Sequence, residues 1–327
     1  RAHAVCSLTA VQNRYSMMAR ANESLFPVLE ELNIGFVAFS PFANGVLTGA
    51  YDKNSVFAAG DMRARMPQFS AACIGGKCVL CFKDISVDYG RGNDAVHALA
   101  DVSVQLEHSA VLALIGASGC GKSTLLRVGA GLLQPTSGQV TCGGAPIDPH
   151  ALLIGFLPQN YGLLAWKTVR ENILLAAEIK GIRRDEDAER LDTLVDELGL
   201  GDLLARYPHE LSGGQQQRVG LARVFFLAPD LLLMDEPFSA LDAITREAMQ
   251  EVFLSLRRQY AVTTLLVTHY VEEALVLADR IAVMRGKPGR IVEVIDNAFV
   301  GDTARRGSPT FSAMGQTLRE KIAGEEA

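Results

Sequence analysis

The run Gly116-Ala117-Ser118-Gly119-Cys120-Gly121-Lys122-Ser123-Thr124 has the spacing Gly-x-x-x-x-Gly-Lys-Ser, which suits a polyphosphate. Gly116, Gly119 and Gly121 let the backbone bend so that successive N–H groups face one anion. Lys122 adds a positive charge for β/γ-phosphates, and the Ser123 hydroxyl suits a Mg²⁺ site. A second chemical group lies at Asp235-Glu236, where the apolar run Leu231–Met234 ends. A buried strand has no use for paired acids unless something positive or reactive sits at its tip. Asp235 fits a partner for Mg²⁺, and Glu236 fits the group that orients or deprotonates an attacking water. Thr263–Val267 delivers Thr268-His269 to the same edge. Ser212-Gly213-Gly214-Gln215 opens a helix, with Ser212 as its N-cap and two glycines that allow close approach of a phosphate. Tyr89, at a strand end, can stack on an adenine ring.

These groups need a strand–turn–helix scaffold, and the flanking pattern supplies it. Val111–Ile115 reads as a buried strand before the glycine loop, and Leu125-Leu126-Arg127 as a helix after it. The positive end of that helix dipole then faces the phosphates. Cys81–Val87 and Val102–Leu106 read as strands of an antiparallel sheet joined by the polar stretch Gly90–Asp94. Gln134–Gly138 reads as a turn, and Ile154–Leu157 as a strand ending at Pro158-Gln159-Asn160. Thr168–Lys180 and Arg183–Leu198 are amphipathic and charged, which predicts a helical insertion.

The whole chain sets the outer limits. Its 327 residues, 49% of them hydrophobic, suffice for two domains, and a net charge of −6 argues against a nucleic-acid surface. The most apolar stretches, Ala151–Phe156 and Leu221–Phe238, are broken by Pro, Asp or Arg short of the roughly 20 residues of a bilayer span. No charged-then-apolar leader is visible, and the start at Arg1 predicts an incomplete or processed reading frame. The cysteines at 6, 73, 78, 81, 120 and 142 form no regular framework, which fits a reducing compartment. Cys78-x-x-Cys81 lacks the second pair of ligands that a zinc site needs.

Residues 1–72 read as a different protein. Ser7–Gln12 and Gly35–Phe39 read as strands around a helix at Asn22–Leu32, a β-α-β unit. The strings VQNRYS, NIGFVAFSPFANGVLTGAY and FAAGDMRARMPQFS together resemble the aldo-keto reductases, (β/α)8 barrels that use NADPH. The resemblance implies that Gln12 touches the nicotinamide carboxamide, Phe39 stacks on the ring and Ser40 lies near the pyrophosphate. It covers only a slice of that barrel, without the family's catalytic Asp, Tyr, Lys and His. The expectation is therefore an incomplete barrel fragment without reductase activity. Residues 73–78 form the junction, and Ser70–Lys77 is small and glycine-containing as linkers often are.

From residue 79 to about 300 the ordered motifs GASGCGKST, LPQN, LSGGQQQR, LLLMDEP, SALD and VTH resemble the ATP-binding-cassette ATPases. The implied fold is an α/β P-loop nucleotide-binding domain: a RecA-like core, an antiparallel β-subdomain and a helical subdomain at about 160–220. Residues 301–327 are read as a linker and a short C-terminal helix. The resemblance assigns Tyr89 to the adenine and Gly116, with Ser118, Gly119, Cys120, Gly121, Lys122, Ser123 and Thr124, to the phosphates of ATP. Gln159 senses Mg²⁺ and water, Asp235 supports Mg²⁺ with Ser123, Glu236 is the catalytic base, and His269 holds the γ-phosphate. Ser212, Gly213, Gly214 and Gln215 close on ATP bound to the opposite protomer of a head-to-tail homodimer, and Asp242 belongs to the loop linking the two sites. Asn160–Asn172 and the compact length are similar to importer ATPases of the nitrate, sulfonate and taurine type. That implies transmembrane permease subunits as partners, a periplasmic or lipid-anchored solute-binding protein indirectly, and a cytoplasmic place on the inner membrane face. Tyr270 departs from the pattern, standing where many relatives carry an acid. A soluble cassette ATPase without a transport role is the alternative.

Overall fold

The computed structural model describes residues 10–14, 26–32, 34–39, 78–90, 96–149, 152–182, 187–303 and 306–324. Contacts divide the chain into two units, one of residues 1–79 with 141–146, the other of 80–140 with 147–327. In the first unit, β1 (Ala10–Arg14) pairs in parallel with β2 (Gly35–Phe39), Gln12 opposite Val37, with α1 (Phe26–Glu31) between them in sequence. This is the β-α-β order that the sequence predicts. Ser40 and the side chains of Gln12 and Phe39 lie outside the described residues, as does most of the 73–78 junction.

The second unit is organised by a six-stranded sheet in the order β12-β11-β5-β10-β9-β8. Its strands are β5 (Val111–Gly116), β8 (Ile154–Leu157), β9 (Leu231–Asp235), β10 (Thr263–Val267), β11 (Arg280–Arg285) and β12 (Arg290–Asp296). Five of them run parallel, and only the edge strand β12 is antiparallel to its neighbour. Strands covered on both faces read as continuous apolar runs, and β5 is buried at every residue. Val111, Ala113 and Ile115 enter one apolar cluster, while Leu112 and Leu114 enter the other. A parallel sheet also brings the carboxyl ends of its strands to one edge, where such folds bind ligands.

β3 (Cys78–Tyr89) and β4 (Val96–Glu107) belong to a second sheet with the order β4-β3-β6, where β6 is Ser137–Cys142; β7 (Ala145–Pro146) closes a hairpin on β6. Both β3 and β4 outrun the expected Cys81–Val87 and Val102–Leu106. For β4 the cause is visible at Asp101, whose φ of 52 breaks the alternation just before the expected start at Val102; Asp84 takes the same φ of 52 in β3, inside the expected span. Hydroxyls replace the lost ladder partners: the Asp84 amide donates to Ser103 Oγ (2.8 Å) and the Asp101 amide to Ser86 Oγ (3.1 Å).

The helical insertion contains α3 (Val169–Lys180), α4 (Asp187–Glu197) and α5 (Gly213–Phe226), while α2 (Lys122–Gly129) follows the glycine loop. Thr168 and Glu171 close a reciprocal capping box on α3, so that helix starts where the sequence places its polar cap. α6 (Ala243–Tyr260) and α7 (Val271–Leu277) link β9, β10 and β11. The C-terminal α8 (Pro309–Ala323) is more than a tail: Phe311 and Leu318 are buried in the larger apolar cluster.

Candidate active site

The glycine loop leaves β5 and turns into α2 through two left-handed residues, Gly119 (φ 79) and Gly121 (φ 94). Gly121 is doubly constrained, because a Cβ there would lie 2.5 Å from Leu99 Cδ2 and 2.9 Å from the Ala98 carbonyl. Lys122 is buried, and its Nζ donates to the Gly116 and Ala117 carbonyls at 2.8 Å each. The Cys120 thiol is buried, with Lys122 Nζ 3.9 Å from its sulfur; burial pushes that thiol up, against the opposing pull of the Lys122 charge. The Ser123 hydroxyl donates to Asp235 Oδ1 at 2.9 Å, which joins the loop to the end of β9. Desolvation raises the Asp235 carboxyl and adjacent Glu236 adds to the rise, while the Ser123 hydrogen bond, Arg127 and Lys122 oppose it.

Glu236 follows β9 in a left-handed conformation, φ 47, that a glutamate rarely adopts. Its amide donates to the Val267 carbonyl of β10 at 2.9 Å, which anchors the turn. Its Oε2 receives Gln159 Nε2 at 3.4 Å and lies 3.0 Å from His269 Nδ1. Gln159 Nε2 also donates to Ser239 Oγ at 3.4 Å. Three strands bring these groups together, since Gln159 follows β8, Glu236 follows β9 and His269 follows β10.

A cavity of about 410 Å³ is lined by Tyr89, Ser118, Gly119, Gly121, Lys122, Ser123, Thr124 and Glu236, together with Val96, His97, Ala98 and Lys287. Tyr89 forms its outer wall and approaches Thr124, with 3.3 Å between their hydroxyl oxygens. Ser212 caps α5 as expected: its Oγ accepts from the Gln215 amide, and its own amide donates to Gln215 Oε1 at 2.9 Å. Ser212, Gly213, Gly214, Gln215 and Asp242 line a different cavity, of about 420 Å³, which shares no residue with the first. A Cβ on Gly214 would sit 2.9 Å from Thr245 Cγ2. Asp242 caps α6 by accepting from the Thr245 amide at 3.0 Å, and that bond holds its carboxyl below the usual range.

The sequence reading missed Lys287. Its Nζ comes within 3.4 Å of the position that a Cβ on Gly119 would occupy. The reason is register: β11 pairs with β5 so that Met284 stands opposite Gly116, which carries the turn after β11 onto the glycine loop. The Gly289 amide, bonded to the Ala98 carbonyl at 3.0 Å, fixes that turn to β4. Nothing local in Gly286-Lys287-Pro288-Gly289 announces this placement.

The sequence reading also passed over Glu273, whose two carboxyl oxygens are buried away from solvent. Burial pushes its carboxyl from the ordinary 4.5 up to about 8; Thr268 and Arg246 oppose the rise and Glu236 adds to it. Between those two values the folded chain keeps a proton that the unfolded chain has lost, so stability falls as pH rises through the window. Denaturant midpoints for Glu273→Gln are therefore expected to fall less than those of the parent between pH 5 and 8. Equal slopes would show that Glu273 is charged in the fold.

A family model described as ABC transporter matches residues 99–239, and one described as Aldo/keto reductase family matches residues 1–106. The taurine import ATP-binding protein TauB of Rhizobium johnstonii is 40% identical over 238 residues, covering 71% of this chain and 90% of the relative. The aliphatic sulfonates import ATP-binding protein SsuB of Bacillus licheniformis is 39% identical, covering 72% and 90%. The nitrate import ATP-binding protein NrtC of Synechococcus elongatus is 43% identical over 60% of this chain and 31% of its own length. Among solved structures, the post-hydrolysis dimer of the ATP-binding cassette MJ0796 bound to ADP and Pi superposes with a TM-score of 0.59 at 28% identity, covering 66% of this chain and 98% of that one. An ATP-binding subunit of an ABC transporter gives a TM-score of 0.61 at 27% identity, covering 75% and 100%. The fold, the order of the motifs and these likenesses agree that the chain belongs to the ABC transporter family, as one of its ATP-hydrolysing ATPase subunits.

Proposed function

We propose that this chain binds ATP with Mg²⁺ on the Gly116–Thr124 loop, hydrolyses it at Glu236, and drives a permease that imports taurine, a related sulfonate or nitrate. The observation that carries the catalytic part is the meeting of Gln159, His269 and Glu236 at one strand edge, beside Lys122, Ser123 and Asp235. Tyr89 stacks on the adenine, the loop amides and Lys122 cradle the phosphates, and Lys287 adds a second cation at the loop's outer side.

The donor set fits Mg²⁺, which prefers hard oxygens and binds through one or two carboxylates. Ser123 Oγ and the Asp235 carboxylate are already joined, and Gln159, which donates through Nε2, keeps its amide oxygen as an acceptor. These residues would hold the ion, which when bound neutralises charge on the β- and γ-phosphate oxygens. Glu236 orients the attacking water and accepts its proton, and His269 bridges Glu236 and the γ-phosphate. Phosphoryl transfer depends on positioning and charge neutralisation, so these groups are sufficient chemistry.

Ser212, Gly213, Gly214 and Gln215 complete the site of a second copy. Their separation from the glycine loop into another cavity supports this reading, as does the dimeric form of the similar MJ0796 cassette. Hydrolysis then removes the γ-phosphate that bridges the two protomers and releases them. A cytoplasmic place against the membrane follows from the permease partner; among the described residues no helix is long and apolar enough to cross a membrane. The solute class rests on the names of the relatives. Vesicles carrying the cognate permease with this subunit, ATP inside and the solute-binding protein outside, are expected to accumulate taurine, an alkanesulfonate or nitrate. ATP hydrolysis without uptake of any of the three would overturn the solute assignment and leave the ATPase reading intact.

A further inference from the structure

Tyr270 follows His269 directly, and two neighbours hold its ring. The His269 imidazole lies against it with centroids 4.1 Å apart and 38° between the planes. The Arg246 guanidinium carbon stands 4.0 Å from the ring centroid, and Arg246 Nη2 donates to the phenol oxygen at 3.3 Å. Such a cation over an aromatic face is attractive, more so where water is partly excluded. Arg246 is itself fixed: Nε donates to the Phe238 carbonyl at 3.2 Å and Nη2 to the Leu241 carbonyl at 2.7 Å. The contacts therefore run from the loop before Asp242 through Arg246 and Tyr270 to His269 and on to Glu236.

Local helix chemistry does not explain a tyrosine here. Residue 270 is the N-cap of α7, a position that favours Ser, Thr, Asp or Asn, and its side chain makes no capping bond. The Tyr270 amide is instead satisfied by Thr268 Oγ1 at 3.0 Å. A residue that breaks a local rule beside a reacting group points to a role at that group. Tyr270 also lines a cavity of about 300 Å³ together with Arg246 and Glu273, so space adjoins it beside the contact with His269.

We propose that Tyr270 is a positioning residue for ATP hydrolysis: its ring, gripped by Arg246, holds His269 in the orientation that reaches Glu236 and ties that orientation to the loop 238–242. This rests on the reading above that His269 and Glu236 act at the γ-phosphate. The ring carries the function and the hydroxyl is secondary.

The test measures kcat and KM for ATP, and ATP affinity, on the full chain with Tyr270→Ala, Tyr270→Phe, His269→Ala and the double variant Tyr270→Ala/His269→Ala. Tyr270→Ala is expected to lower kcat by about 10- to 100-fold, in line with the cost of a misplaced catalytic group, with ATP affinity unchanged. Tyr270→Phe restores turnover, because the stack and the cation contact remain. Adding Tyr270→Ala to His269→Ala costs nothing further if the ring acts through His269. Equal losses for Phe and Ala, independent losses in the double variant, or full turnover in Tyr270→Ala would each overturn the inference while His269→Ala remains impaired. Full turnover in His269→Ala overturns the reading of the site and the inference with it. Should Tyr270→Ala not fold, Tyr270→Leu against Tyr270→Phe makes the same comparison with the space filled.

Discussion

Glu236→Gln is expected to lower steady-state ATP turnover by about 10²- to 10⁴-fold, the range contributed by a positioned general base, while ATP remains bound. The geometry explains why the loss falls on chemistry. Glu236 reaches the site because its backbone takes φ 47, pinned by the hydrogen bond that its amide donates to the Val267 carbonyl, and a glutamine can adopt the same turn. The amide preserves shape and an acceptor oxygen toward Gln159 and His269 but cannot take a proton from water. ATP then persists between two protomers, so the variant should elute as a dimer with ATP and as a monomer with ADP. Single-turnover assays and size-exclusion chromatography check both halves. Unchanged turnover would remove Glu236 as the base; lost turnover without ATP-dependent dimers would remove the composite site.

Lys122→Met should act at the opposite stage, weakening ATP binding by about 10- to 100-fold, the worth of hydrogen bonds to a charged group. Lys122 donates to the Gly116 and Ala117 carbonyls, so its loss also leaves those acceptors without their donor. A penalty of about 1–3 kcal/mol in stability accompanies such an orphaned buried acceptor. Thermal unfolding with and without ATP separates the two effects. Lys287→Ala, which disturbs no carbonyl of the loop, should weaken ATP binding less and cost no stability. Wild-type ATP affinity in Lys122→Met would refute the phosphate cradle.

Much of the site was legible because its pieces are local. The strand before Gly116, the cap at Ser212 and the acids at Asp235-Glu236 each follow from residues adjacent in the chain, and each lies where expected. Pattern reading stopped short at Asp101, where a left-handed residue interrupts the alternation of a strand that nevertheless continues. It gave no notice of Lys287 or Arg246, whose neighbours at the site are distant in sequence. Tyr270 was noticed only as a departure from the family pattern, and its two ring contacts gave that departure a physical content.

By itself, then, the sequence determined the strand–glycine loop–helix unit, the paired acids at a strand end and the family, because turn chemistry, capping and hydrophobic runs act over a few residues. The tertiary structure alone decided which of those pieces meet. The parallel order β11-β5-β10-β9-β8 sets Gln159, Glu236 and His269 at one edge and carries Lys287 onto the loop, while Ser212 and Asp242 go to another cavity. Such contacts depend on strand order and register, which are properties of the closed sheet rather than of any single segment.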